Sequence, residues 1–328
     1  MKALTGVQPK IAHILVVCLC LIFMSGITFA WYFANNRRVV PSEPKPAPES
    51  GITHVATVYG DEDVILGETR SVYATDGRIY VSDTSNHRIV VLDYSGNFLF
   101  TFGDETQGSW SGMRYPYSLT VVKDKIYVAD AGLMKVAVFD LEGNFLSYFG
   151  ERALVKPINV VFSDQYFYFT DVSRQQVVIL DEDGNEIHSF GHYGKGEEPA
   201  QFNFPNGLVV DASGRIYVAD TNNSRIQIFN HQGEFLTTWK SSSSQSSLFV
   251  SPMNVALDQN NHLYVADPMA NRILVLNQAG EIFRVIQDVD SGESVDRFML
   301  PSGIWIDTNQ RLYVSDTGNR RIVIYQLK

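Results

Sequence analysis

Six aspartates recur at matched positions in this chain: Asp83, Asp130, Asp171, Asp220, Asp267 and Asp316. Each ends an aromatic-x-x-Asp phrase, from Tyr80-Val81-Ser82-Asp83 to Tyr313-Val314-Ser315-Asp316, at intervals of 41 to 49 residues. A set of carboxylates can hold a divalent cation or trade protons, so chemistry is first sought here. The spacing argues for a structural role instead. Each aspartate sits where a strand enters a turn, and its side chain can cap turn amides or pair with an arginine five residues on. Those arginines are Arg88, Arg225, Arg272 and Arg321.

Two other stretches invite a chemical reading. Asp288-Val289-Asp290-Ser291-Gly292-Glu293 opens like a calcium loop, which makes Asp288 and Asp290 the calcium candidates. Glu293 stands where the invariant glycine belongs and Met299 where a bidentate glutamate belongs, so an acidic solvated loop is expected. The serine run at 241–244 has no partner base beside it and reads as a loop tip. Cys18 and Cys20 are the only two cysteines, so the rest of the chain has no disulfide or cysteine metal site. The residues thus assign no catalytic group, no metal and no cofactor.

The elements that carry the aspartates are repeats. Every period reads as four short strands; in the fourth they are 207–210, 215–219, 225–229 and 235–239, with Gly214 and Gly233 in tight turns. Four strands per 40–50 residues make a propeller blade. The last repeat supplies three strands, and His54-Val55-Ala56-Thr57-Val58-Tyr59-Gly60 resembles the missing fourth. The fold expected is therefore all-β: a six-bladed β-propeller over 52–328, closed by its N-terminal strand. Closure covers the third-strand edge that the last blade would otherwise leave bare.

Ahead of the propeller, a tail of residues 1–10 precedes an uncharged 23-residue run, 11–33, long enough for one transmembrane helix. Residues 34–51, with Pro41, Pro44, Pro46 and Pro48, make an extended linker. The expectation is a single-pass cell-membrane protein with an uncleaved signal-anchor and its propeller outside the cytoplasm. Residues 51–328 carry 21 basic and 34 acidic side chains, a formal charge of -13. Such a body suits neither nucleic acid nor an anionic lipid surface.

The phrases Asp83-Thr84-Ser85-Asn86-His87-Arg88-Ile89, Asp220-Thr221-Asn222-Asn223-Ser224-Arg225-Ile226 and Asp316-Thr317-Gly318-Asn319-Arg320-Arg321-Ile322 resemble the NHL repeat signature. Asp267 to Ile273 follows it with Pro268-Met269-Ala270 in the polar positions, whereas Lys135 and Gln176 stand where Arg is expected after Asp130 and Asp171. The resemblance implies a propeller that binds protein or nucleic acid, and the acidic balance disfavours the nucleic-acid branch. It also raises enzyme alternatives. Amidating lyases of similar fold hold zinc with channel histidines, but His54, His87, His188, His192, His231 and His262 fall on outer strands or loops. Lactonase-like propellers hold calcium with an inner Glu, Asn and Asp; Asn159, Asn206 and Asn254 begin inner strands here without an inner Glu.

The remaining signal is one face. Long blade-to-blade connections, 103–116, 191–205, 240–252 and 287–301, carry aromatic and arginine residues to it. The binding residues expected there are Trp110, Arg114, Tyr115, His192, Tyr193, Phe249 and Arg297, with Met113, Phe202, Phe204 and Phe298 nearby. The function expected is a non-catalytic, membrane-tethered scaffold for a protein or peptide partner. The alternatives are a metal-dependent lyase or lactonase-type hydrolase, and a cell-wall or glycan-binding surface protein.

Overall fold

The structure is a computed structural model that describes residues 51–60, 64–104, 110–195, 198–240, 248–290 and 295–328. The expected membrane segment, linker and tail, and the serine run at 241–244, lie outside the described residues. Among the described residues, no helix is long and apolar enough to cross a membrane.

Six four-stranded antiparallel sheets form the blades. Their inner strands are Thr69–Thr75, Pro116–Val122, Pro157–Ser163, Pro205–Val210, Asn254–Leu257 and Pro301–Ile306. Each inner strand contacts those of both neighbouring blades, and blade 6 returns to blade 1, so the ring is closed. Ile52–Val58 pairs antiparallel with Arg321–Leu327, from Ile52 opposite Leu327 to Val58 opposite Ile322, and supplies the outer strand of blade 6. Lys328 N donates to Gly51 O at 2.8 Å where the two ends meet. In blade 4 the strands are Pro205–Val210, Ile216–Asp220, Arg225–Phe229 and Phe235–Trp239, so the first starts two residues earlier than expected and the second takes in Asp220.

Alternation decides what each blade buries. Successive side chains of a strand point to opposite faces, and both faces of a blade meet a neighbour, so the second and third strands read as apolar runs. The outcome is six apolar clusters, one at each seam. Between blades 2 and 3, for example, Tyr127, Val136 and Val138 pack against Val160, Phe167 and Val178. Each side chain of this size removed from water contributes about 1.5–3 kcal/mol.

The acidic stretch at 288–293 departs from expectation. Asp288–Asp290 pairs antiparallel with Val295–Arg297 as a short ribbon, with Asp288 opposite Arg297. A second small ribbon sets His192–Tyr193 parallel to Gln201–Phe202. Both ribbons stiffen connections from an outer strand to the next inner strand.

Candidate functional site

The repeat aspartates turn out to organise that loop face. All six are fully buried. Each accepts the backbone N–H of a residue 16 or 17 positions upstream, in the connection that enters its own blade. The donors are Gly67 to Asp83 at 2.8 Å, Arg114 to Asp130 at 2.8 Å and Val155 to Asp171 at 2.6 Å. Asn203 donates to Asp220 at 2.8 Å, Val250 to Asp267 at 3.1 Å and Met299 to Asp316 at 2.7 Å.

The arginines complete a clamp. Each guanidinium pairs with its own aspartate, as in Arg225 Nε to Asp220 Oδ2 at 2.8 Å and Arg321 Nε to Asp316 Oδ2 at 2.7 Å. Its far nitrogen then donates to a loop carbonyl two residues before the anchored amide. These bonds run from Arg88 to Ile65 at 3.2 Å, Arg225 to Gln201 at 2.6 Å, Arg272 to Leu248 at 3.1 Å and Arg321 to Arg297 at 3.3 Å. In blade 3, where Gln176 replaces the arginine, Arg174 reaches the matching carbonyl of Ala153 at 2.5 Å. Burial raises the carboxyls of Asp220 and Asp316, against the hydrogen bonds that lower them.

Immediately before each anchored amide lies one apolar residue, three before the start of the inner strand in five blades and five before Asn254 in blade 5. These are Leu66, Met113, Leu154, Phe202, Phe249 and Phe298, and all six are buried. The clamp fixes the chain so that this side chain plugs the seam below and the next one points outward. Gly67, Arg114, Val155, Asn203, Val250 and Met299 therefore occupy equivalent positions around the mouth of the channel. Val155 is 52% exposed, Val250 40% and Met299 51%.

Of the seven binding residues expected, this geometry removes two. Phe249 is 0% exposed as the plug of blade 5, and Trp110 is 3% exposed, stacked on Phe145 with ring centroids 4.6 Å apart. Met113, Phe202 and Phe298 are plugs as well. Arg114, His192 and Arg297 are exposed, Tyr115 is half-buried, and Tyr193 is 59% exposed on its ribbon. His87 Nδ1 meets the Arg114 carbonyl at 2.6 Å. Val155, Val250 and Met299 escape selection by residue type. Their signal is positional, because each stands two residues before a proline: Pro157 and Pro301, which open inner strands, and Pro252, just ahead of Asn254–Leu257.

Inside the ring is a cavity of about 170 Å³. Ser71, Ser118, Asn159 and Asn254 give it a polar level, and Phe162, Leu257 and Trp305 line it further down. Asn159 ties three blades together, donating to Ser118 Oγ at 3.3 Å and accepting from Leu208 N at 3.3 Å. No charged side chain lines the cavity. Among the described residues, no three His, Cys, Asp or Glu side chains converge as metal ligands. The side chains of Asp288 and Asp290 lie outside the described atoms.

Comparison with known proteins agrees with this architecture. The NHL repeat family matches residues 70–92 and 202–229. NHL repeat-containing protein 3 of Homo sapiens is 37% identical over 67 residues, 20% of this chain and 19% of that protein. Protein brain tumor of Drosophila melanogaster is 41% identical over 63 residues, 19% of this chain and 6% of its own length. The matches thus span about a fifth or less of those relatives. Among solved structures, a streptogramin B lyase superposes with a TM-score of 0.60 at 13% identity, covering 85% of this chain and 98% of its own. A nidogen/laminin complex gives a TM-score of 0.53 at 19% identity, covering 66% and 79%. Identities this low establish shared fold alone. The chain is a six-bladed β-propeller, two stretches of which match the NHL repeat family.

Proposed function

We propose that the propeller is a non-catalytic binding domain, and that its clamped ring engages a protein or peptide partner. One observation carries this reading. Six equivalent positions share one backbone anchorage yet carry Gly, Arg, Val, Asn, Val and Met, three of them apolar and strongly exposed. Anchorage repeated with varied side chains is what a recognition surface on a rigid scaffold requires. Isolated exposed apolar residues are ordinary, but a concentric set on fixed backbone presents a surface for burial. The uncharged run at 11–33 supports a tethered form of this domain, held at a cell membrane with the propeller outside the cytoplasm. A zinc-lyase alternative would need three converging His, Cys, Asp or Glu ligands, which the described residues do not assemble.

The test is cross-linking in native membranes with the full chain and with a Val155→Asp, Val250→Asp, Met299→Asp variant. The expected outcome is partner cross-links that map to the ring and fall at least about tenfold in the variant, since burying even one unpaired carboxylate costs more than about 1.4 kcal/mol. An unchanged melting temperature shows that the variant is folded. Cross-links that map to the blade rim, or that persist in the variant, would overturn the reading.

A further inference from the structure

The polar level of the channel is only partly satisfied. Asn159 is tied to Ser118 and to the Leu208 amide. Across the ring, the carboxamide of Asn254 in blade 5 and the hydroxyl of Ser71 in blade 1 have no hydrogen-bond partner among the described residues. Both groups stay open to the cavity they line, unlike the sealed hydroxyls of Thr69 and Ser82. Gly303 of blade 6 stands between them without a side chain, where a Cβ would come within 2.7 Å of Ser71 Cα. Gly207 seats the other flank, since a Cβ there would come within 3.2 Å of Asn254 Cγ.

The same arc of blades supplies an aromatic wall. Two residues beyond Ser71 and Gly303, Tyr73 and Trp305 meet with ring centroids 4.2 Å apart and planes inclined at 33°. Their polar tips are tied to backbone: Tyr73 Oη donates to Val121 O at 3.4 Å and Trp305 Nε1 to Ala74 O at 3.1 Å. Ring surface is what remains for the cavity, and Phe162 lines it too. No described residue of the lining is charged, so an ion entering would lose its hydration without meeting a counter-charge. At about 170 Å³ the space suits one six-membered ring with a short substituent, since a cavity of about 150 Å³ takes benzene. A carboxamide offers donor and acceptor side by side, and the group that answers both at once is another amide.

We propose that the channel binds a small neutral aromatic amide. The ligand's ring lies against Tyr73, Trp305 and Phe162, and its amide bonds to Asn254 and Ser71. None of these residues belongs to the exposed ring of loop positions, so the site stands or falls independently of the partner reading.

The test is calorimetric titration of the full chain at neutral pH with benzamide, with its isosteres benzoate and acetophenone, and with acetamide. Benzamide is expected to bind at least about tenfold more tightly than benzoate, whose carboxylate finds no counter-charge. It binds several-fold more tightly than acetophenone, which accepts hydrogen bonds but donates none, and than acetamide, which lacks the ring. Asn254→Leu brings benzamide and acetophenone level, and Trp305→Leu weakens both. Benzamide also shifts the intrinsic tryptophan emission, and Trp305→Phe removes that shift while binding persists. The Val155→Asp, Val250→Asp, Met299→Asp variant binds benzamide as the parent does. Absence of binding by every probe would assign the cavity to water alone and overturn the proposal. So would benzoate binding as tightly as benzamide, or an emission shift that survives Trp305→Phe, whether or not Asn254→Leu folds.

Discussion

A buried aspartate needs several donors, and this propeller meets that need in two ways. Where a repeat arginine is present, the carboxylate takes a loop amide, the guanidinium and often an asparagine, as Asp316 takes Met299, Arg321 and Asn319. Where it is missing, turn amides fill in: Asp130 accepts from Arg114, Tyr115, Gly132 and Leu133, and Asp171 from Val155, Lys156, Ser173 and Arg174. A different set of aspartates closes the hairpins between third and outer strands. Asp93 and Asp181 are held below their ordinary value of 3.8, first by the side-chain amides of Asn97 and Asn185. Blades 4 and 5 reverse the pair, with Asn230 donating to Glu234 and Asn277 to Glu281, each at 2.8 Å. A carboxyl depressed in the folded state stabilises it above the unfolded pKa, and that contribution is lost as pH falls through the folded value. Asp181→Asn should therefore lower the urea midpoint at neutral pH and converge on the parent below about pH 4, as denaturation at stepped pH would show.

All six outer strands deviate at one place. Each holds a single unpaired bulge residue: Val55, Leu99, Leu146, Ile187, Leu236 and Phe283. All are apolar and 42–56% exposed. An outer strand presents free backbone groups to any passing strand, and a bulge breaks the straight edge that such a strand would pair with. Deleting Leu146 would bring Phe145 and Ser147 into continuous register with Phe139 and Val138. The expected result is a folded propeller that associates with rising concentration, read as sedimentation; a strictly monomeric deletion variant would argue against an edge-guarding role. The bulges are silent in the sequence, because one added residue within a five-residue strand hardly alters an alternation already blurred by burial on both faces. Blade count, strand order and closing strand were legible, since each rests on six repetitions of one phrase. The loop face was half legible. Choosing residues by aromatic or arginine character selected Arg114 and Tyr193, which are exposed, but also Trp110 and Phe249, which are core. Distance from the following proline, rather than residue type, sets which side chains turn outward.

At the scale of the whole ring, cohesion comes from six similar seams, and only one is built from both ends of the sequence. Between blades 6 and 1, Val58 packs with Val64, Leu66, Ile322 and Ile324. Removing residues 1–58 strips this seam of an apolar residue and bares the edge of Arg321–Leu327. The shortened chain is expected to lose several kcal/mol, with deletion of Val58 alone removing about 1.5–3 kcal/mol of burial, and to aggregate on warming. Calorimetry would show a lower and less reversible transition, and a transition like that of the parent would mean the ring closes without its outer strand.

The same seam decides how the domain bears tension. A pull on residue 51 directed along Ile52–Val58 loads every hydrogen bond to Arg321–Leu327 at once, in shear. A pull directed outward across the blade peels them in sequence, starting from the contact between Gly51 and Lys328. Whatever holds the residues before 51 thus sets, by its direction alone, whether this propeller behaves as a mechanically strong link or a weak one.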